Sequence, residues 1–209
     1  MKNLILSGGG DMNQAEAVDR FYCSLLPKEP KILYLPTAWH DNTFSGCHVW
    51  FSEIMKKYSI ENYSIWTEIE NKTWNDINAF DSLYIGGGNT FKLLHLLQTS
   101  DLITLIKQFI ETGKPVYGGS AGAILLGKDI GTAALGENAD ENKSGISDFT
   151  GLDEIHGYAI QCHYLQNQNE EIATWTKEHH LPVIALGEDS GLYVTNTNIE
   201  PIGSTVTFF

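Results

Sequence analysis

The chain repeats one pattern. A short, unbroken apolar run meets a glycine or proline break, and a longer stretch with apolar residues at helical spacing follows. The runs at 3–6, 31–35, 63–66, 82–85, 116–117, 158–163, 183–186 and 191–195 predict strands. Helices are expected over 15–26, 48–58, 74–80, 91–97, 102–111, 121–126 and 170–178, where apolar residues recur every three or four positions. Most of the runs are continuously apolar, which indicates strands covered on both faces. Strands alternating with helices predict an α/β fold, a three-layer αβα sandwich around a mostly parallel sheet. The turn-rich strands after residue 183 should add an antiparallel edge, with a last short pair at 202–208. Residues 127–150 show no period and read as a long surface segment. No repeat or linker divides the chain, so 1–209 is expected to be a single domain.

Composition adds exclusions. At 42% hydrophobic, with 9 Phe, 9 Tyr and 5 Trp, the chain can bury a sizeable core. Its net charge of −13 argues against nucleic acid and anionic membranes as partners, because phosphate binding needs lysine and arginine stripes. No apolar run is long enough for a membrane span or a signal segment. Cys23, Cys47 and Cys162 are odd in number and widely spaced, which suits reduced thiols in the cytoplasm. A monomer or homodimer is expected.

Four glycine-containing loops, 7–11, 86–90, 118–122 and 187–191, fall at the carboxyl ends of predicted strands, where open α/β sheets bind ligands. Gly118-Gly119-Ser120-Ala121-Gly122 joins a strand to a helix and has the G-x-S-x-G form of a nucleophile elbow. Gly86-Gly87-Gly88-Asn89-Thr90 presents uncovered amides that, with the Ala121 amide, could receive a developing oxyanion. A serine hydroxyl needs a base. Of seven histidines, His163 stands at a strand end. His40 and His48 flank a loop and a helix start, His95 lies within a helix, His156 precedes a strand, and His179-His180 ends a helix. An orienting carboxylate is available from Glu188 or Asp189, with Glu137, Asp140 and Glu141 as alternatives in the irregular segment. The loop Ser7-Gly8-Gly9-Gly10-Asp11 lacks both a dinucleotide fingerprint and a phosphate-loop lysine, and reads as a substrate-side or structural loop. No metal-ligand spacing is present, and no metal or organic cofactor is expected.

The segment Tyr84-Ile85-Gly86-Gly87-Gly88-Asn89-Thr90-Phe91-Lys92-Leu93-Leu94 resembles the G-G-G-N-T segment of peptidase E-like serine peptidases, a family that includes aspartyl dipeptidase and, more distantly, cyanophycinase. Gly119-Ser120-Ala121-Gly122-Ala123 resembles their nucleophile motif, and Leu4–Gly10 and Ile32–Ala38 are similar to the family as well. The resemblance implies a class I glutamine amidotransferase-like fold and a Ser-His-Glu triad. On this chain the triad maps to Ser120, His163 and Glu188, with Gly88 and Ala121 as oxyanion donors and small peptides as substrates. Asn89 and Glu137 are the candidate substrate-binding residues. Aspartyl dipeptidase has an arginine-bearing stretch after its histidine segment. Here that stretch reads Gln166-Asn167-Gln168-Asn169-Glu170-Glu171, and the one arginine, Arg20, is distant in sequence. Aspartyl specificity is therefore not carried over.

Overall fold

The structure, a computed structural model, describes residues 1–39 and 44–209. Its main sheet is built from β1 (Leu4–Ser7), β2 (Ile32–Leu35), β3 (Tyr63–Ile65), β4 (Ser82–Ile85) and β5 (Val116–Gly119), all parallel, in the order β3-β2-β4-β5-β1. The fold class is α/β, as the strand–helix alternation predicts. Alternate residues of each strand serve opposite layers. Leu4, Leu6, Leu33, Leu35, Leu83, Ile85 and Val116 face α3 (Trp74–Asn78), α4 (Thr90–Thr99), α5 (Leu102–Glu111) and α6 (Ala121–Leu126). Ile5, Ile32, Tyr34, Tyr84 and Tyr117 face α1 (Glu16–Ser24) and α2 (Ser45–Lys57). Burial on both sides is why these strands read as continuous apolar runs.

Beyond β1 the sheet continues with β8 (Gly191–Val194), antiparallel to β1, and then β9 (Ile199–Ile202), antiparallel to β8. This is the expected antiparallel edge. It also displaces the strands at β6 (Ala159–Gln161) and β7 (Val183–Leu186) from the main sheet. With β8 seated on the outer edge of β1, they pair parallel with each other and form a second sheet, extended by antiparallel β10 (Val206–Phe208). The expected terminal pair is thus corrected: β9 and β10 belong to different sheets, and the chain crosses between them at Gly203 (φ 85°). One face of the small sheet, with Ile160, Ile184 and Leu186, packs into the α6 side of the main core. Its other face, with Ala159, Val183 and Ala185, lies under α7 (Asn169–His179) through Ile172 and Trp175.

The irregular segment is less superficial than its composition suggests. Ile130 and Thr132 are fully buried, residues 131–134 form a 3-10 turn, and a bridge between Asp129 and Thr150 closes the excursion. Among the described residues no helix is long and apolar enough to cross a membrane.

The helix after β1 lies on one face of the main sheet and the helix after β5 on the other, although β1 and β5 are neighbours. Their diverging connections open a crevice at the carboxyl ends of these two strands.

Candidate active site

Ser120 stands in that crevice, between β5 and α6. Its backbone has φ 49° and ψ −109°, a conformation that a residue with a side chain adopts only under constraint. Both flanking glycines are required by contact. A Cβ on Gly118 would lie 2.7 Å from the Gly122 carbonyl oxygen, and one on Gly122 would overlap the Ile85 carbonyl oxygen. This is the geometry of a nucleophile elbow.

The Ser120 Oγ lies 2.8 Å from His163 Nε2, and His163 Nδ1 lies 3.0 Å from Glu188 Oε1. Ser120, His163 and Glu188 therefore form one continuous hydrogen-bonded line. With Nδ1–H donating to the carboxylate, Nε2 is left as the acceptor for the serine hydroxyl, so the imidazole is set up to take a proton from Oγ. Asp189, the other carboxylate in that loop, accepts from the Ser190 and Ser204 hydroxyls instead. Asp140 accepts from the Thr90 amide, and Glu141 pairs with Lys143. The remaining described histidines stand elsewhere. His48 is exposed on α2, His95 is on α4, His156 bonds the Thr195 carbonyl, and His179 stacks on Trp175, with His180 at the end of α7. His40 lies outside the described residues. Arg20 is 72% exposed and bonded to Glu16, away from the serine.

The three residues come from two sheets, and the end of β1 ties them together. Ser120 N donates to Ser7 O, His163 N to Gly8 O, and Gly8 N to Ser190 O, just past Glu188. The Gln14 side-chain amide donates to Glu188 Oε2 at 2.7 Å, which holds the carboxylate oxygen that His163 does not use. Sequence reasoning missed Gln14. Its one signal is its place three residues beyond Asp11, whose backbone amide its side chain also caps.

Gly88 borders both cavities that Ser120 borders, and Ala121 follows the serine in the chain. Neither amide has a backbone acceptor among the described residues. The glycine loop sits directly beside the serine, since a Cβ on Gly87 would lie 3.3 Å from Ser120 Cβ. A cavity of about 820 Å³ opens here, bordered by Gly88, Ser120, His163 and the 137–144 wall. Asn89 and Glu137 both line it. The Asn89 amide is already engaged: its oxygen caps α4 at Lys92 N and its nitrogen donates to Glu141 O, so it pins the cavity wall. Glu137 is exposed at the rim. Two residues of the lining, Gln161 and Thr90, each carry a buried oxygen, Oε1 and Oγ1, with no hydrogen-bond partner among the described residues.

A smaller cavity, about 480 Å³, opens on the other side of Ser120, toward α1 and α2. Asp19 lines it, 3% exposed, and accepts a hydrogen bond from the Tyr117 hydroxyl at 2.8 Å. Burial pushes its carboxyl up to about 6, against the opposing pull of Tyr117 and Lys57, while Glu16 adds to the rise. A raised carboxyl favours the fold at low pH. That stabilisation is complete below the unfolded value near 3.8 and is lost as pH rises through about 6. Denaturant titrations of the wild type and Asp19→Asn, compared at about pH 4 and pH 7.5, should show the wild type losing about 2 kcal/mol relative to the variant. A pH-independent difference would show that Asp19 titrates normally.

A sequence profile described as Peptidase family S51 matches residues 4–202. Among curated proteins, Peptidase E of Shewanella amazonensis (strain ATCC BAA-1098 / SB2B) is 30% identical over 137 residues, covering 64% of this chain and 58% of that protein. Peptidase E of Shewanella baltica (strain OS195) is 32% identical over 132 residues, covering 61% and 55%. The matched stretch thus spans less than two thirds of these relatives. Two solved structures share the fold. One, from Listeria monocytogenes EGD-e and named as a candidate peptidase E, has a TM-score of 0.76 at 18% identity, covering 98% of this chain and 100% of its own. The other, a peptidase from an acI-B1 actinobacterium, has a TM-score of 0.73 at 17% identity, covering 98% and 88%. The match to the family runs from the first strand to the ninth and includes the serine elbow, the glycine loop beside it and the histidine and glutamate that complete the line: this chain belongs to peptidase family S51.

Proposed function

We propose that the chain is a serine peptidase that cleaves small peptides through a Ser120–His163–Glu188 triad. The observation that carries this reading is the unbroken hydrogen-bonded line from the strained Ser120 through His163 to Glu188. Ser120 Oγ attacks the scissile carbonyl carbon while His163 Nε2 takes its proton. The carbonyl oxygen becomes an oxyanion, held by the Gly88 and Ala121 amides. His163 then passes the proton to the leaving amine, the C–N bond breaks, and an acyl-enzyme remains on Ser120. Water, deprotonated by the same imidazole, attacks the ester carbonyl and releases the acid, returning the proton to Oγ. Glu188 keeps the ring in the productive tautomer and stabilises its cationic form. A cavity of about 820 Å³ suits a peptide of few residues. The three free thiols fit a reducing cytoplasm as its place of action.

Treatment with a fluorophosphonate, followed by peptide mapping, tests the reading. One adduct is expected, on Ser120, with hydrolysis of a dipeptide panel lost in step with labelling. Hydrolysis surviving complete labelling, or an adduct elsewhere that tracks the loss, would overturn it.

A further inference from the structure

The smaller cavity has a chemistry of its own. Ser120, Gly88 and His163 border both cavities, so a peptide seated across the serine reaches into each. The walls of the smaller one are aromatic: Tyr34, Trp50, Tyr84 and Tyr117 line it. Tyr84 and Tyr117 stack at 4.2 Å, and Trp50 meets the Tyr84 ring edge-on at 6.3 Å. Two carboxylates line the cavity: Asp11, which is exposed, and Asp19, which is buried. Among the described residues no lysine, arginine or histidine nitrogen lies within ion-pair distance of Asp19. The cation on the neighbouring helix, Lys57, pairs with Glu16 instead. A carboxylate accepts about four hydrogen bonds, and among the described residues the Tyr117 hydroxyl is the one side-chain donor that reaches this one. A buried carboxylate without a counter-ion is costly unless a cation arrives with a ligand.

The geometry also fixes the reach. A Cβ on Gly119, beside the nucleophile, would lie 3.4 Å from Tyr117 Cε1, the ring carbon next to the one that bears the hydroxyl, and that hydroxyl bonds Asp19. The hydroxyl-bearing edge of one tyrosine ring therefore separates the elbow from the carboxylate. A lysyl or arginyl side chain is long enough to cross that edge, with an apolar stem for the aromatic walls and a cationic tip for the acid.

We propose that the smaller cavity is a side-chain subsite that selects peptides with a lysyl or arginyl residue beside the scissile bond, with Asp19 receiving the cationic tip. The proposal rests on Ser120 as the nucleophile for its place in turnover, and on the cavity alone for binding. Aromatic walls favour a cation over a neutral donor because ring faces attract positive charge. The chain's net charge of −13 draws cations in the same direction.

The test separates the two readings. Binding of n-butylguanidinium and of its neutral isostere n-butylurea is measured at about pH 8, where carboxylates are ionised, by the fluorescence of the tryptophans at the cavity. In the wild type the guanidinium should bind about tenfold tighter or more, as a charge-assisted pair requires. Asp19→Asn, which keeps an acceptor for Tyr117, should erase the preference, and Ser120→Ala should keep it. In turnover, the ratio of kcat/KM for lysyl or arginyl dipeptides over their norleucyl counterparts should fall about tenfold in Asp19→Asn. Equal binding of the two compounds by the wild type, or a preference that survives Asp19→Asn, overturns the subsite. Cation-selective binding without any peptide turnover upholds the subsite and overturns the peptidase reading.

Discussion

Ser120→Ala should lower kcat for peptide hydrolysis by about a million-fold, and His163→Ala should cost nearly as much. The Ser120→Ala/His163→Ala double variant should lose no more than either single one. The three expectations share one cause. In the proposed mechanism the imidazole takes the proton of Oγ, and Oγ cannot attack without it, so either loss removes the whole relay. KM should change little, because most of the cavity wall is contributed by other residues. Glu188→Gln tests the third member separately. It keeps the shape but lets His163 adopt the wrong tautomer, and it should cost about ten-thousand-fold in kcat. Steady-state kinetics on a cleaved dipeptide checks all four variants. Ser120→Ala retaining even a percent of wild-type kcat would remove the serine from the mechanism, and additive losses in the double variant would separate the histidine from it.

Gly122→Ala should destabilise the protein by about 4 kcal/mol, a loss of about 10 °C in Tm for a chain of this size. The added methyl group would overlap the Ile85 carbonyl oxygen and lie 3.1 Å from the Ile85 Cβ. The overlapped atom belongs to the backbone of β4, a central strand of the main sheet, and it cannot swing aside as a side-chain tip would. Either α6 lifts from the sheet or β4 shifts, and both disturb Ser120. Activity should therefore fall with stability. Differential scanning calorimetry together with kcat on the same preparation checks this. A Tm within a degree or two of the wild type would show that α6 has room to move off β4.

Much of this was readable from the residues. The continuous apolar strands report their burial on both faces, and the glycines at 118 and 122 report a turn too tight for side chains. The positions of His163 and Glu188 just after apolar runs placed them at strand ends. What could not be read was which strands pair. β6 and β7 look like members of the main sheet because a strand buried on both faces has the same composition in either sheet. Their exclusion depends on β8 occupying the edge of β1, a contact between opposite ends of the chain. Gln14 and Asp19 were hidden for a different reason. Both are polar residues in or near an amphipathic helix, where polarity ordinarily means solvent. Only the packing of α1 against the sheet shows that one supports Glu188 and the other is buried among tyrosines. The amide of Asn89 is a subtler case. Its place in the glycine loop suggested ligand contact, while its bonds go to Lys92 and Glu141.

The peptide units at Ser7 and Gly8 have a consequence for how the protein becomes active. They hold Ser120, His163 and the loop of Glu188 by main-chain bonds, and each partner arrives from a part of the chain synthesised much later. Contacts between residues so distant in sequence are slow to form, since the intervening chain must be ordered first. The elbow can be complete as soon as β4, β5 and α6 have assembled, yet the serine has no base until the small sheet docks against the end of β1. If Ser120 acts as proposed, activity should appear only once the last strands are in place, after the small sheet has docked.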